Sequence, residues 1–313
     1  MSFERIKRYD AIQPGFLKKL VSKWQLYAMI LPAFLFIIIF CYVPMYGVLI
    51  SFKDFNASLG IMRSPWVGFK YFETFFTSPM FGTTLINTLK ISIYTLIFGF
   101  PIPIIFALLL NKIRNLRMKK FMQTVSYAPY FISTVVLVSM LNLFLAPNTG
   151  LINDILGFFR IQPINFMIRS EWFRTVYVVS GIWQTMGWNA IIYLAALSGV
   201  SPDLYEASIV DGASKLKQIL YIDIPSIVPT IVIMLILNAG SMLSVGYEKA
   251  FLMQQGMNLP ASEIISTYVY KVGLMSAQYS YATAIGVFNS IVNFTLIVAV
   301  NFVSRKTSNN NLW

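Results

Sequence analysis

The feature that most constrains this chain is an apolar stretch of about 20 residues or more that recurs along it. A helix rises 1.5 Å per residue, so such a stretch crosses the ~30 Å hydrocarbon core of a bilayer. Six stretches qualify, at about 26–50, 83–110, 121–145, 175–199, 227–247 and 280–303. The first is too long for a removable signal peptide and lacks a small-residue cleavage site, so it reads as a retained span. Composition agrees: 57% of residues are hydrophobic and only 12% charged, about half the charged share of a soluble domain. The predicted fold class is an all-α polytopic membrane protein with six transmembrane helices. One membrane domain occupies 26–303, between a lead segment at 1–25 and a tail at 304–313.

Basic residues sort by side of the membrane. Lys and Arg resist outward transfer, so they collect on the cytoplasmic side. Arg5, Lys7, Arg8, Lys18, Lys19 and Lys23 precede the first span, and Lys112, Arg114, Arg117, Lys119 and Lys120 separate the second from the third. Lys215, Lys217, Arg305 and Lys306 fall on the same side, and the opposite loops carry fewer. Both termini are therefore expected in the cytoplasm, and the net charge of +12 forms no single patch suited to nucleic acid.

The chain has no histidine and one cysteine, Cys41. That excludes most zinc sites, a Cys–His nucleophile and an intramolecular disulfide. Pro101 and Pro103 lie inside the second span, where each removes a donor and a kink is expected. The loops at 51–82, 146–173 and 248–279 exceed simple turns. They hold an aromatic group (Trp66, Tyr71, Phe72, Phe75, Phe76), an apolar run at 151–159 and an amphipathic stretch at 263–272. Membrane anchoring and reception of a soluble partner are both open for them.

The loop at 200–226 carries the most specific signal. Ser201 is a good N-cap, Pro202 suits the first helical position and Asp203 complements the helix dipole. Gly212 frees the backbone to turn, and a second short helix from Ala213 is expected to end before Pro225. A short helix fixed at both ends to membrane spans is a lever, and its free face can sit in a partner's groove.

This loop resembles the EAA loop of bacterial ATP-binding-cassette importer permeases. Glu206, Ala207, Gly212, Ile222 and Pro225 stand at the family's spacing, while Ser208 replaces its second alanine and Ile224 its leucine. Asp211-Gly212-Ala213 is similar to the carbohydrate, maltose-type branch. The segments Trp24–Tyr27, Tyr42–Gly47, Ser51–Asn56, Ser64–Gly68 and Tyr279–Gly286 resemble permeases of lipoprotein-dependent polysaccharide transport. The resemblance implies a type I importer permease fold. It also implies a second homologous permease, two cytoplasmic ATPase subunits and an extracytoplasmic solute-binding lipoprotein that delivers oligosaccharides. Glu206, Ala207, Ser208, Asp211, Gly212, Ala213 and Pro225 would couple the chain to the ATPases. ATP and Mg would bind there and not here, since this sequence has no Gly-x-x-x-x-Gly-Lys-Ser/Thr loop.

Sugars bind to aromatic faces and to amides and hydroxyls. The fourth span offers Trp183, Gln184, Trp188, Asn189 and Tyr193, and the fifth Asn238, Ser241 and Ser244 with Tyr247 and Glu248 near its end. Polar groups in a bilayer face the bundle interior or a water path, so Trp183, Gln184, Trp188, Asn189, Tyr193, Asn238, Ser241, Tyr247 and Glu248 are the candidate substrate path. Interhelical pairing is the plainer reading for each, and for Asn289 and Asn293 on the last span. Glu248 and Lys249 can also neutralise one another. An ion-coupled carrier usually needs intramembrane ionisable groups, and the first four apolar cores contain no Asp or Glu. A permease for a non-sugar solute is the nearer alternative. No catalytic set can be assembled, so the chain is not expected to be an enzyme.

Overall fold

The computed structural model describes residues 23–308. The basic residues Arg5, Lys7, Arg8, Lys18 and Lys19 and the end of the tail, 309–313, lie outside the described residues. Described residues are helical nearly throughout, and the only extended pairing among them is the isolated bridge between Lys53 and Trp66. The chain forms two compact units, Met1–Leu49 and Ile50–Trp313.

In chain order the helices that matter are α1 (Trp24–Phe52), α2 (Lys70–Thr77), α3 (Pro79–Asn111), α4 (Leu116–Phe131), α5 (Thr134–Phe144), α6 (Leu151–Phe158) and α7 (Ser170–Ser198). After them come α8 (Pro202–Val210), α9 (Lys215–Gly240), α10 (Tyr247–Met253), α11 (Ile265–Tyr270) and α12 (Tyr279–Ser308). Among the described residues four helices are long and apolar enough to cross a membrane, namely α1, α3, α9 and α12. They become five if the bent pair α4–α5 is one span. Helix α7 has 29 residues, about 43 Å of rise, but its tryptophans and amides dilute its hydropathy. The expected count of six depends on including it.

Three spans solve the proline problem in one way. Proline lacks the N–H that would pair four residues back, and its ring collides with that turn. A π-helical turn precedes Pro44 at Ile38–Tyr42, Pro101 at Thr95–Gly99 and Pro225 at Ile219–Asp223. The wider turn absorbs the misfit and the helix continues. At Pro225 this differs from the expected helix end: α9 begins at Lys215 and runs through to Gly240.

The third stretch also differs from expectation. A single helix over 121–145 is replaced by α4 and α5, set at 100°. Pro129 draws the end of α4 into a tight 3₁₀ turn, Ile132 is extended, and Ser133 restarts the chain by accepting a bond from the Val136 N–H at 3.4 Å. A proline followed by a capping serine was the available signal.

In the second unit, α7 enters two of the three apolar clusters. Phe173 packs with Ile91, Val138, Met253 and Ile264, whereas Ala190, Tyr193 and Leu197 pack with Ala107, Leu108 and Ile227. Phe75 of α2 closes the third cluster against Ile265, Tyr281 and Ile285. Asn293 of α12 accepts from the Leu243 N–H and donates to Ser244 Oγ, both at 3.0 Å, so it ties α12 to the turn between α9 and α10.

Candidate functional site

Two features of the second unit carry chemistry: the loop at 200–226, and a cavity beside α7.

The loop is a helix, a left-handed break and a second helix. Ser201 Oγ accepts from the Asp203 N–H at 3.3 Å, and Pro202 opens α8. At the far end Gly212 adopts φ +71°, a region a side chain enters only at a cost. Its N–H donates to Ile209 O at 3.0 Å while the Ala213 N–H donates to Ser208 O at 2.8 Å. This pair of bonds satisfies the orphan carbonyls of a helix C-terminus and needs the left-handed residue between them. Ser214 then caps α9, accepting from the Lys217 N–H at 3.4 Å.

Tyr205 and Ser208 share the inner face of α8. Ser208 Oγ donates to Tyr205 O at 2.7 Å and accepts from Gln218 Nε2 at 2.9 Å. The residue that departs from the family's alanine thus ties α8 to α9. Tyr205 Oη donates to Asp223 Oδ1 at 2.6 Å, and Lys112 Nζ stands 2.7 Å from Asp223 Oδ2 and 4.6 Å above the Tyr205 ring. The Lys112 contact is an ion pair rather than a directed hydrogen bond. Asn111 Nδ2 adds a long bond of 3.5 Å to Tyr205 Oη. Asp223 is fully buried at the last position of the π-helical turn. Burial first, and then the hydrogen bond and charge of Asp223, push the Tyr205 phenol up to about 12, so it stays a donor at neutral pH. One buried carboxylate thereby joins the end of α3, the middle of α8 and the start of α9.

The other face of α8 is open. Leu204, Glu206, Ala207, Ile209 and Val210 are exposed, Val210 at 87%. Asp211 and Ala213 flank the break, and Pro225 lies in α9 beyond the π-helical turn.

The cavity is about 620 Å³ and is walled by α3, α7 and α9 with Thr134, Gly246 and Lys249. Five of the candidate path residues line it: Gln184, Trp188, Asn189, Tyr193 and Asn238. Four of these also have structural partners. Gln184 Nε2 donates to Ile132 O at 2.9 Å, holding the bend between α4 and α5. Trp188 stacks on Tyr130 with centroids 4.3 Å apart, and Tyr193 is almost wholly buried in the core. Asn238 Nδ2 returns to Met234 O at 2.7 Å, which leaves its carbonyl oxygen for other donors.

The remaining candidates lie elsewhere. Trp183 lines a second, apolar cavity of about 540 Å³ with Leu137, Leu141 and Trp172. Ser241 donates to its own helix at Asn238 O, and Tyr247 is exposed and packs on Phe251 and Tyr270. Glu248 is exposed and, among the described residues, forms no ion pair with Lys249. Two groups went unseen in the sequence. Asp223 was signalled as a lone acid within an apolar run, whereas nothing local separates Lys249 from a loop lysine.

Residues 99–309 match the family described as binding-protein-dependent transport system inner membrane component. The chain belongs to this family. Among relatives of these permeases, it is 44% identical over 288 residues to the polygalacturonan/rhamnogalacturonan transport system permease protein YteP of Bacillus subtilis, covering 92% of this chain and 90% of that protein. It is 41% identical to protein LplB of the same organism over 292 residues, with 93% and 92% covered. Its fold is similar to a chain in a solved bacterial ABC transporter that imports the acidic polysaccharide alginate. That match has a TM-score of 0.86 at 39% identity and covers 93% of this chain and 99% of that one. A second solved structure, the alginate transporter with a pentasaccharide-bound periplasmic protein, matches with a TM-score of 0.87 at 37% identity, covering 95% and 99%. The type I permease fold implied by the EAA-like loop is therefore borne out, and the chain is a multi-pass membrane component of an ATP-binding-cassette importer.

Proposed function

We propose that this chain is one of two homologous permeases that together enclose the path of an importer for oligosaccharides, delivered by an extracytoplasmic solute-binding protein. Two ATPase subunits hold ATP and Mg and seat the open face of α8. Glu206 anchors that face, Ala207 permits close approach, and Gly212 with Asp211 and Ala213 sets the bend. The chain itself hydrolyses nothing and holds no cofactor. Its termini face the cytoplasm, the lead segment at 1–25 and the tail at 304–313 flank the permease domain at 26–303, and α7 completes six crossings.

The observation that carries this reading is the braced loop. A free apolar helix face, fixed by Tyr205, Asp223 and Lys112 to two long apolar helices, has the form of a transmission and not of a solvated connector. The cavity supplies the sugar-type groups, Trp188 with Asn189 and Asn238. The names of the relatives support polysaccharide fragments as the cargo.

Reconstitution of the complete complex in vesicles tests it. Uptake of labelled oligosaccharide is expected to require ATP and the binding protein and to be indifferent to a proton or sodium gradient. Gradient-driven uptake without ATP would return the chain to the carrier class.

A further inference from the structure

The cavity contains one ionisable ammonium group that the coupling loop does not involve. Lys249, on the short helix α10, is 9% exposed and lines the cavity with Trp188, Asn189 and Asn238. Its ammonium donates to Tyr177 O at 2.8 Å and lies 4.7 Å above the Tyr177 ring. Gly181 makes room for it, since a Cβ there would stand 3.3 Å from Nζ. A lysine has three donors; the carbonyl takes one and the ring face another, which leaves one without a partner among the described residues. No aspartate or glutamate is among the described lining residues, and neither ion pair among the described residues includes Lys249.

An ammonium held out of water without a counter-ion is costly. Packing alone does not explain it, because a methionine would fill the volume without the penalty. Burial pushes the lone amine down to about 7, and an anion arriving with the cargo would hold it in the charged form. Resting on the oligosaccharide reading above, we infer that Lys249 is the recognition group for a carboxylate on the transported sugar, and that the cargo class is acidic, uronate-bearing oligosaccharides. An aromatic face at Trp188 and amides at Asn189 and Asn238 are suited to the sugar ring, while the ammonium pairs with the acid group. A neutral sugar of the same size would leave the ammonium unpaired, so the site discriminates by charge.

The test uses the complete complex in vesicles with ATP and the binding protein, and compares trigalacturonate with its fully methyl-esterified form. Lys249→Met is expected to slow trigalacturonate uptake roughly 10- to 100-fold while changing uptake of the ester less than about threefold. Lys249→Arg is expected to restore most of the acid uptake. Where the wild type excludes the ester, basal ATPase activity serves as the control for intact assembly. Wild-type rates of trigalacturonate uptake in Lys249→Met overturn the inference. So does an equal loss of both sugars, or a failure to assemble, that Lys249→Arg does not repair, because either assigns the ammonium to packing. A wild type that carries only the neutral ester overturns the inference and leaves the permease reading standing. A wild type that carries neither sugar overturns this inference and leaves the oligosaccharide reading to its own vesicle test.

Discussion

The loop at 200–226 and the cavity face of α7 draw on similar side chains, yet they are ordered over different ranges of sequence. In the loop nearly every bond is local: Ser201 with Asp203, Ser208 with Ala213 and Gln218, and Tyr205 with Asp223. Lys112 and its neighbour Asn111 are the partners brought from far along the chain. In the cavity, Gln184 reaches Ile132, Trp188 reaches Tyr130, and Lys249 reaches Tyr177. The loop is thus a lever whose shape its own sequence dictates, whereas the cavity exists only once distant helices have packed.

The sharpest way to break that contrast is at Gly212. Proline there is fixed near φ −65° and has no N–H, while the native residue sits at +71° and donates to Ile209 O. Gly212→Pro is expected to abolish binding-protein-stimulated ATPase activity and uptake while the chain still inserts. Wild-type stimulation in this variant would show that the break transmits nothing.

Next in size is the buried brace. Removing one partner of a buried ion pair costs about 3–5 kcal/mol because the other charge is left uncompensated. Asp223→Ala is expected to destabilise the complex on that scale, measured by thermal or detergent inactivation, and to lower coupled uptake. Replacing both members, Asp223→Leu with Lys112→Met, is expected to recover stability but not coupling. Recovery of both would make the brace a matter of packing only.

How much could be read in advance follows from the same difference in range. The α8 boundaries, the left-handed Gly212 and the family itself were legible, because caps, breaks and spacings are local in sequence. The continuation of α9 through Pro225 was not, since a π-helical turn leaves no composition of its own. The bend between α4 and α5 was signalled by Pro129 and Ser133 but hidden by the surrounding hydropathy. Trp183 and Trp188 were grouped because both are tryptophans on one helix. Five residues correspond to about 500° of helical rotation at 3.6 residues per turn, which leaves the two rings about 140° apart and facing different cavities. Lys249 was assigned to a loop because its site is made by Gly181 and Tyr177, more than sixty positions away.

Those two tryptophans give a direct comparison within one helix. Trp188→Ala is expected to lower oligosaccharide uptake about tenfold, equivalent to ~1.4 kcal/mol, with Trp188→Phe retaining more. Trp183→Ala, in the apolar cavity, is expected to leave uptake within about twofold and to change stability instead. Equal uptake defects would mean that the polar cavity is not the path.

Within the loop the smallest expected effect falls on Ser208, where this chain departs from its family's alanine. Its hydroxyl accepts from Gln218 across the break and donates back to Tyr205 O. Each such bond contributes a net of about 0.5–1.5 kcal/mol, and the site is only half-buried, so the lower end applies. Ser208→Ala therefore reproduces the family residue, keeps the left-handed turn at Gly212 and loses one tie between α8 and α9. Uptake is expected to fall by less than about threefold, well below the effect at Asp223, because Tyr205 still anchors α8 to the buried carboxylate. A loss as large as that of Asp223→Ala would place the rigidity of the lever in the hydroxyl bridge, and the brace to α3 would become secondary.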